Sequence, residues 1–321
     1  MSKFFFWALA LFVFALSPFI GPSDLVLSDI LNLNSLSSTI FFELRVPRTL
    51  FAFFAGVILA LGGLLFQTLF RNSLMTPYTL GVSSGAVLGA GIAIKIGLGT
   101  LFLGVSLLNI FGFLGAFGTL LLLLWLSQFL KRSQPESLLL LGIALSLFYT
   151  SALMLLFYFG SSMDNNMLLH FTMGSLSIVG WNAPLLIAFS AIVFTMMLSF
   201  YKHELSLMAI SEESAKLKGV DVKKTSLLLL SVASFAIGVL VSIAGPIGFI
   251  GLITPHIVSK IYPQTLHKRV LKTALFGGFF LVFCDILSRG INTQSELPIG
   301  IITALIGGPF FIYLIITKAS K

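Results

Sequence analysis

The chain has 321 residues, 57% of them hydrophobic and only 9% charged, with a net charge of +8. A soluble domain carries about 25% charged residues, so a water-solvated globule is excluded. The positive balance fits the Lys/Arg bias of cytoplasmic loops and does not call for nucleic acid. Cys284 is the single cysteine, which excludes an intrachain disulfide and a thiolate metal site.

Apolar runs of about 20 residues, the length that crosses a hydrocarbon core, recur from end to end. They predict an all-α integral membrane protein, because a helix satisfies its own backbone groups in lipid. Ten spans are expected, at about 4–20, 49–70, 79–97, 103–129, 137–159, 182–201, 225–245, 247–261, 273–288 and 298–317, in one transmembrane domain over 1–321. The first stretch, MSKFFFWALALFVFALSPFI, imitates a signal peptide, but cleavage after ALS leaves Pro18 at the new terminus, so it is read as an uncleaved span.

ELRVPRTLFAF, residues 43–53, sets Arg45 and Arg48 around Pro47 at the mouth of the second span. Pro47 suits the first turn of a helix, which puts both cations near a helix N-terminus where the dipole disfavours them. Glu43 can neutralise one; otherwise they form an exposed patch for an acidic partner. Further along, GVSSGAVLG repeats Gly81, Gly85 and Gly89 on one helix face, a spacing that lets helices approach closely. Gln67, Ser83, Ser84, Thr150 and Ser151 are polar groups in apolar spans and candidates for a lined pathway. The alternative is that they hydrogen-bond to neighbouring helices or to their own backbone. Lys95, at the end of the third span, reads as a snorkelling side chain.

The loop ISEESAKLKGVDVKK punctuates a short helix. Ser211 can cap it, Glu212 and Glu213 occupy the first turn, Lys216 and Lys218 the last, and Gly219 stops it. Glu212 and Lys216 can pair at i,i+4, and Ile210, Ser214 and Leu217 leave a small, weakly apolar face. This helix is either a loop ornament or a docking element for a soluble subunit. The eighth span, GPIGFIGLITPHIV, is expected to be short, kinked or partly unwound.

Chemistry is sparse. There is no GxxxxGK[ST] phosphate loop, and His170, His203, His256 and His267 lack metal-ligand spacing. No catalytic residue, metal or cofactor is expected. Asp285 is the main intramembrane ionisable group, and Arg289 one turn later reads as its local ion-pair partner. A secondary transporter or channel is the rival reading; it needs a carboxylate or histidine relay that the spans hardly supply. With the N-terminus inside, all but Arg45, Arg48, Lys95 and Arg289 of the 19 Lys and Arg residues fall on inner segments, which predicts both termini in the cytoplasm.

RVPRTL, GVILALGGLLFQTLFRNSLMTPYTLGVSSGAVLGA, ESAKLKGVD, GPIGFIGLITPHIV and ELPIGIITALIGGPFFIYLI, in that order, resemble the FecCD-type permeases over roughly residues 40–317. These are membrane subunits of type II ABC importers for iron–siderophore complexes, haem and cobalamin. The resemblance implies a dimer of permeases, of identical or related chains, with cytoplasmic ABC ATPase subunits in the bacterial cytoplasmic (inner) membrane. It further implies a periplasmic or lipoprotein substrate-binding protein. Arg45 and Arg48 match arginines that receive acidic residues of the binding protein, and Arg289 matches a further one. Ser211, Glu212, Glu213, Ala215, Lys216, Leu217 and Gly219 match the coupling helix that enters the ATPase; Ser84, Thr150 and Ser151 match positions that narrow the pathway. Ser73, Phe171 and Ser259 depart from the usual proline, tryptophan and arginine. An iron–siderophore is the expected cargo, with haem or cobalamin as alternatives.

Overall fold

The computed structural model describes residues 2–21, 27–31, 35–97, 101–102, 105–127, 129, 135–263, 265–291 and 296–319. Lys131, Arg132 and Lys321, counted above among the inner cations, lie outside the described residues. The helices are α1 (Ser2–Leu16), α2 (Leu36–Thr39), a π-helical turn (Ile40–Arg45), α3 (Val46–Leu69), α4 (Val82–Lys95) and α5 (Leu107–Ser127). Then come α6 (Pro135–Tyr158), α7 (Ser162–Met173), α8 (Asn182–Phe200), α9 (Lys202–Ile210) and α10 (Glu212–Leu217). The chain ends with α11 (Val222–Ala244), α12 (Ile250–Ile261), α13 (Leu266–Gly290) and α14 (Ile299–Ala319). The strands β1 (Leu101–Phe102) and β2 (Val105–Ser106) pair over two residues each.

Among the described residues, six helices are long and apolar enough to cross a membrane, the continuous stretch Leu36–Leu69 counting as one. Four shorter apolar helices, Trp7–Phe19, Val82–Lys95, Leu107–Leu123 and Ile250–Ile261, accompany them. Together these coincide with the ten predicted segments. α3 is the central helix: 83% of its most apolar stretch is buried, against 6% for Ser137–Tyr158 in α6. α6 therefore stands at the edge of the bundle, packing one side on α4 and the core and leaving the other for lipid or another chain.

Close backbone approach holds the centre together. A Cβ added at Gly63 of α3 would lie 1.8 Å from the Gly251 carbonyl of α12, and one at Gly89 of α4 would lie 2.1 Å from the Phe111 carbonyl of α5. Neither contact survives a side chain, so the expected small-residue packing is realised.

The second span begins earlier than read from Pro47. Its helical stretch starts at Leu36 under the Ser35 cap, whose Oγ accepts from the Ser38 N–H at 3.0 Å. Pro47 thus sits inside a continuous helix, where it lacks the N–H that the Glu43 carbonyl would receive. The chain widens there to a π turn, with the Val46 N–H donating to Phe41, and the freed Glu43 carbonyl accepts from the Gly180 N–H at 2.9 Å. The cations consequently lie within the helical stretch and not at its N-terminus.

The eighth span matches expectation. α12 has 12 residues, Phe249 before it is left-handed (φ 66°), and Pro255 lies inside the helix. Pro255 frees the Gly251 carbonyl, which accepts from Gln67 Nε2 at 3.1 Å. α7, by contrast, occupies a segment read as a connection. It is opened by a Ser161–Asp164 capping box and ends at Gly174 (φ 71°), where the Ser175 N–H donates to the Ala244 carbonyl at 2.7 Å.

Candidate functional site

Three groups of residues carry the features singled out above. The first is an ion-pair network at the Arg45 end of the bundle. Arg48 of α3 donates through Nε and Nη2 to Asp285 Oδ1 of α13 at 3.0 and 2.8 Å, and through Nη1 to Glu296 Oε2 at 2.6 Å. Ser177 Oγ donates to the same Glu296 oxygen at 2.8 Å. Arg289 Nη2 approaches Asp285 Oδ2 to 2.9 Å and donates to Ser17 Oγ at 2.8 Å, while Nη1 donates to the Ile20 carbonyl at 2.7 Å. Arg45 Nη1 reaches the Phe19 carbonyl at 3.2 Å. A wholly buried Asp285 therefore joins two arginines from different helices, Arg48 and Arg289, while Arg289 and Arg45 pin the 17–20 turn.

The expected Asp285–Arg289 pair is present. The exposed cationic patch is not: Arg45, Arg48 and Arg289 keep only 6%, 8% and 3% of their surface. Lone cations at this depth would be prohibitive, so they turn inward to carboxylates and carbonyls. Glu296 lies outside the spans. Burial works against its ionisation, but the hydrogen bond and charge of Arg48, helped by Ser177 and Arg289, hold its carboxyl below the usual carboxylate range.

The second group is a cavity of about 140 Å³ between α4, α6 and the α11–α12 break. Ser83, Ser84 and Thr150 line it, with Tyr78, Tyr149 and Thr172. Three of the five polar candidates thus meet. Thr150 Oγ1 and Ser151 Oγ also donate back to Ser146 and Leu147 of their own helix at 2.8 and 3.0 Å. Gln67 lies elsewhere, engaged on α12 as described. Lys95 is held by its bond to the Phe159 carbonyl at the end of α6.

The third group, at the opposite end from the arginines, is α10. Ser211 Oγ accepts from the Ser214 N–H at 2.9 Å. Gly219 (φ 83°) closes the helix, with its N–H donating to Lys216 at 2.9 Å and the Val220 N–H donating to Ala215 at 3.0 Å. That is a complete Schellman termination, so both the start and the stop read from the loop are realised. Ala215 is buried beneath the helix, whereas Leu217 and Ile210 are 89% and 73% exposed. Glu212 pairs with Arg71, at 3.8 Å, and not with Lys216 as expected. Arg71 follows α3 in a left-handed conformation (φ 48°) and brings its cation within reach.

Comparison with known proteins fits this geometry. Residues 9–317 match the model of the FecCD transport family. The chain is similar to the ABC transporter permease protein YvrB of Bacillus subtilis, an uncharacterised protein, at 36% identity over 88% of this chain and 80% of that one. It is also similar to the vitamin B12 import system permease protein BtuC of Citrobacter koseri, at 36% identity over 85% and 82% of the two chains. A solved structure covers 97% of each chain with a TM-score of 0.82 and 28% identity. That structure is an inward-facing conformation of an ABC transporter assigned provisionally to the metal-chelate type.

Proposed function

The chain belongs to the FecCD transport family and is an ABC transporter permease, and from that premise we propose that it forms the membrane pathway of an importer for a bulky metal chelate, in first reading a ferric siderophore. It works in the bacterial cytoplasmic membrane with both termini in the cytoplasm, so that α10 faces inward and the arginine network outward. Separate ATPase subunits dock on α10 and supply the energy. A second permease, identical or related, covers the exposed face of α6 and completes the pathway beside the Ser83–Ser84–Thr150 cavity.

A periplasmic or lipoprotein binding protein delivers the cargo to the Arg45, Arg48 and Arg289 end. Because these arginines are already paired, docking takes the form of competition: carboxylates of the carrier contend with Glu296 for Arg48, while Arg45 and Arg289 hold the rim. The cavity contains hydroxyls but no charge, which suits passage of a large ligand without tight binding.

The observation that best supports this reading is α10 itself. A six-residue helix capped at both ends, with Leu217 and the preceding Ile210 both strongly exposed, supports a docking role for this loop. Leu217→Asp is expected to leave the melting temperature of the permease unchanged and to abolish co-purification of the ATPase. Retention of the ATPase at wild-type stoichiometry would reject the docking role.

Cargo is tested separately, by accumulation of radiolabelled ferric siderophore or cobalamin in vesicles holding the assembled system. Ferric siderophore uptake is the expected result. Cobalamin is the second reading, favoured by the similarity to vitamin B12 permeases, and its uptake in place of iron would replace the first. Haem belongs to the same chelate class.

A further inference from the structure

α7 stands apart from the apolar spans. Its 12 residues, SMDNNMLLHFTM, are too short and too polar to cross a hydrocarbon core. Yet they hold three of the chain's nine methionines. Met163, Met167 and Met173 are 78%, 52% and 39% exposed, and His170 is exposed with them, while Leu168 on the opposite side is buried. Neither lipid contact nor packing within the chain calls for Met163 and Met167 on such a helix.

The spacing does suit a ligand. Met163, Met167, His170 and Met173 follow one another at intervals of four, three and three residues, so they share one face with each side chain a turn from the next. Helical side chains at these intervals hold a common metal ion, as paired histidines four apart and glutamate–histidine pairs three apart do. The histidines lack ligand spacing among themselves; His170 finds it with thioethers. Among the described residues no group of three His, Cys, Asp and Glu could hold a metal. The one carboxylate of α7, Asp164, accepts from the Ser161 N–H at 3.2 Å in the capping box. That box and Gly174 close the helix at its two ends and make it a firm platform.

Thioether sulfur is soft and polarizable, and its unbranched chain adapts to a shared centre. Such donors select Cu(I), and imidazole suits copper as well. Calcium and magnesium require oxygen ligands that this face does not offer. We propose that this face of α7 is a binding site for a single Cu(I) ion, held by the thioethers of Met163 and Met167 and the imidazole of His170, with Met173 a turn beyond as a further donor. The site belongs to the arginine end of the bundle, since Ser177, three residues after Gly174, bonds to Glu296. Thr172 of the same helix lines the hydroxyl cavity. A bound ion clamps two turns of that wall, whichever cargo is carried.

The probe is Ag(I), a soft monovalent ion that needs no reductant, added as the nitrate in chloride-free buffer to the purified full-length chain carrying isotope-labelled methionine methyl groups. The Met163 and Met167 methyl signals, assigned by single leucine substitutions, are expected to shift together and saturate at one equivalent. Those of Met154 on α6 and Met196 on α8, 65% and 67% exposed, are expected to stay in place. His170→Gln keeps every thioether and is expected to weaken binding at least about tenfold, since even supporting groups of metal sites cost that much when lost. Met163→Leu with Met167→Leu keeps the apolar volume and is expected to abolish saturable binding. Unmoved Met163 and Met167 signals overturn the proposal and leave α7 an apolar contact face. An equal response from all exposed methionines, or unchanged affinity in His170→Gln or in the double leucine variant, overturns it as well.

Discussion

The two ends of the bundle solve opposite problems. At the arginine end, charge is drawn inward: Asp285, wholly buried, bridges Arg48 and Arg289, and Glu296 closes the set from the adjoining loop. At the α10 end, the charged side chains of the loop stay in solvent and an apolar leucine is pushed outward. The first arrangement depends on partners far apart in sequence, the second almost wholly on its own ten residues. Perturbing the first should therefore unsettle the whole bundle, and perturbing the second should be felt only locally or by a partner.

The sharpest way to break this contrast is Asp285→Ala. It leaves two buried guanidiniums without their shared carboxylate and is expected to cost about 3–5 kcal/mol, read as a large drop in the thermal unfolding temperature in detergent. Replacing Arg48 by Met in the same chain should recover part of the loss, because the stranded charge is then removed. Next in size is Gly63→Leu. It drives a side chain into the Gly251 backbone and should cost about 1–3 kcal/mol, or prevent α3 and α12 from seating at all, in the same melt.

At the other end, Ser211→Ala removes the α10 cap and should cost about 1 kcal/mol of local stability. Amide exchange over 212–217 should quicken while the global melt stays put. A global loss of several degrees would show that α10 is more firmly built into the fold than its contacts imply. The smallest effect is expected from acid. The carboxyl of Glu296 is depressed in the folded chain, so its contribution is present above the ordinary glutamate range and fades as pH falls through its folded value. Protection of the Glu296 and Leu297 amides, measured relative to their intrinsic exchange rates, should fall with acidification, and Glu296→Gln should abolish that pH dependence.

Much of this was legible in the sequence where the governing rule is local. Ten apolar segments, the broken eighth span and both caps of α10 follow from the local sequence, with bounds within a few residues except at the starts of the second and ninth spans. Apart from α7, whose Ser161–Asp164 capping box is a local signal, the misses are long-range. Arg48 finds Asp285 across 237 positions and Glu296 across 248, so a motif that reads as displayed charge is in fact internal. Gln67, read either as a pathway group or as a donor to a neighbouring helix, takes the second role because Pro255, far along the chain, frees the Gly251 carbonyl. Glu212 chose Arg71 over the nearer Lys216 because of a left-handed turn that no periodicity announces. The early start at Leu36 was hidden because Pro47 reads as a helix opener, and only the neighbouring Gly180 N–H makes it tolerable in the interior.

The meeting of α7, α11 and α14 bears on how movement could travel. A Cβ at Gly245 would lie 2.2 Å from the Phe171 carbonyl, and one at Gly300 would lie 2.3 Å from the Met173 carbonyl. Main chain there abuts main chain, with no rotamers between to take up slack. α11 starts at Val222, three residues after the stop of α10, and runs as one rod to that joint. A displacement of its near end is therefore expected to reach α7 and α14 through backbone contact, as in a linkage with little play.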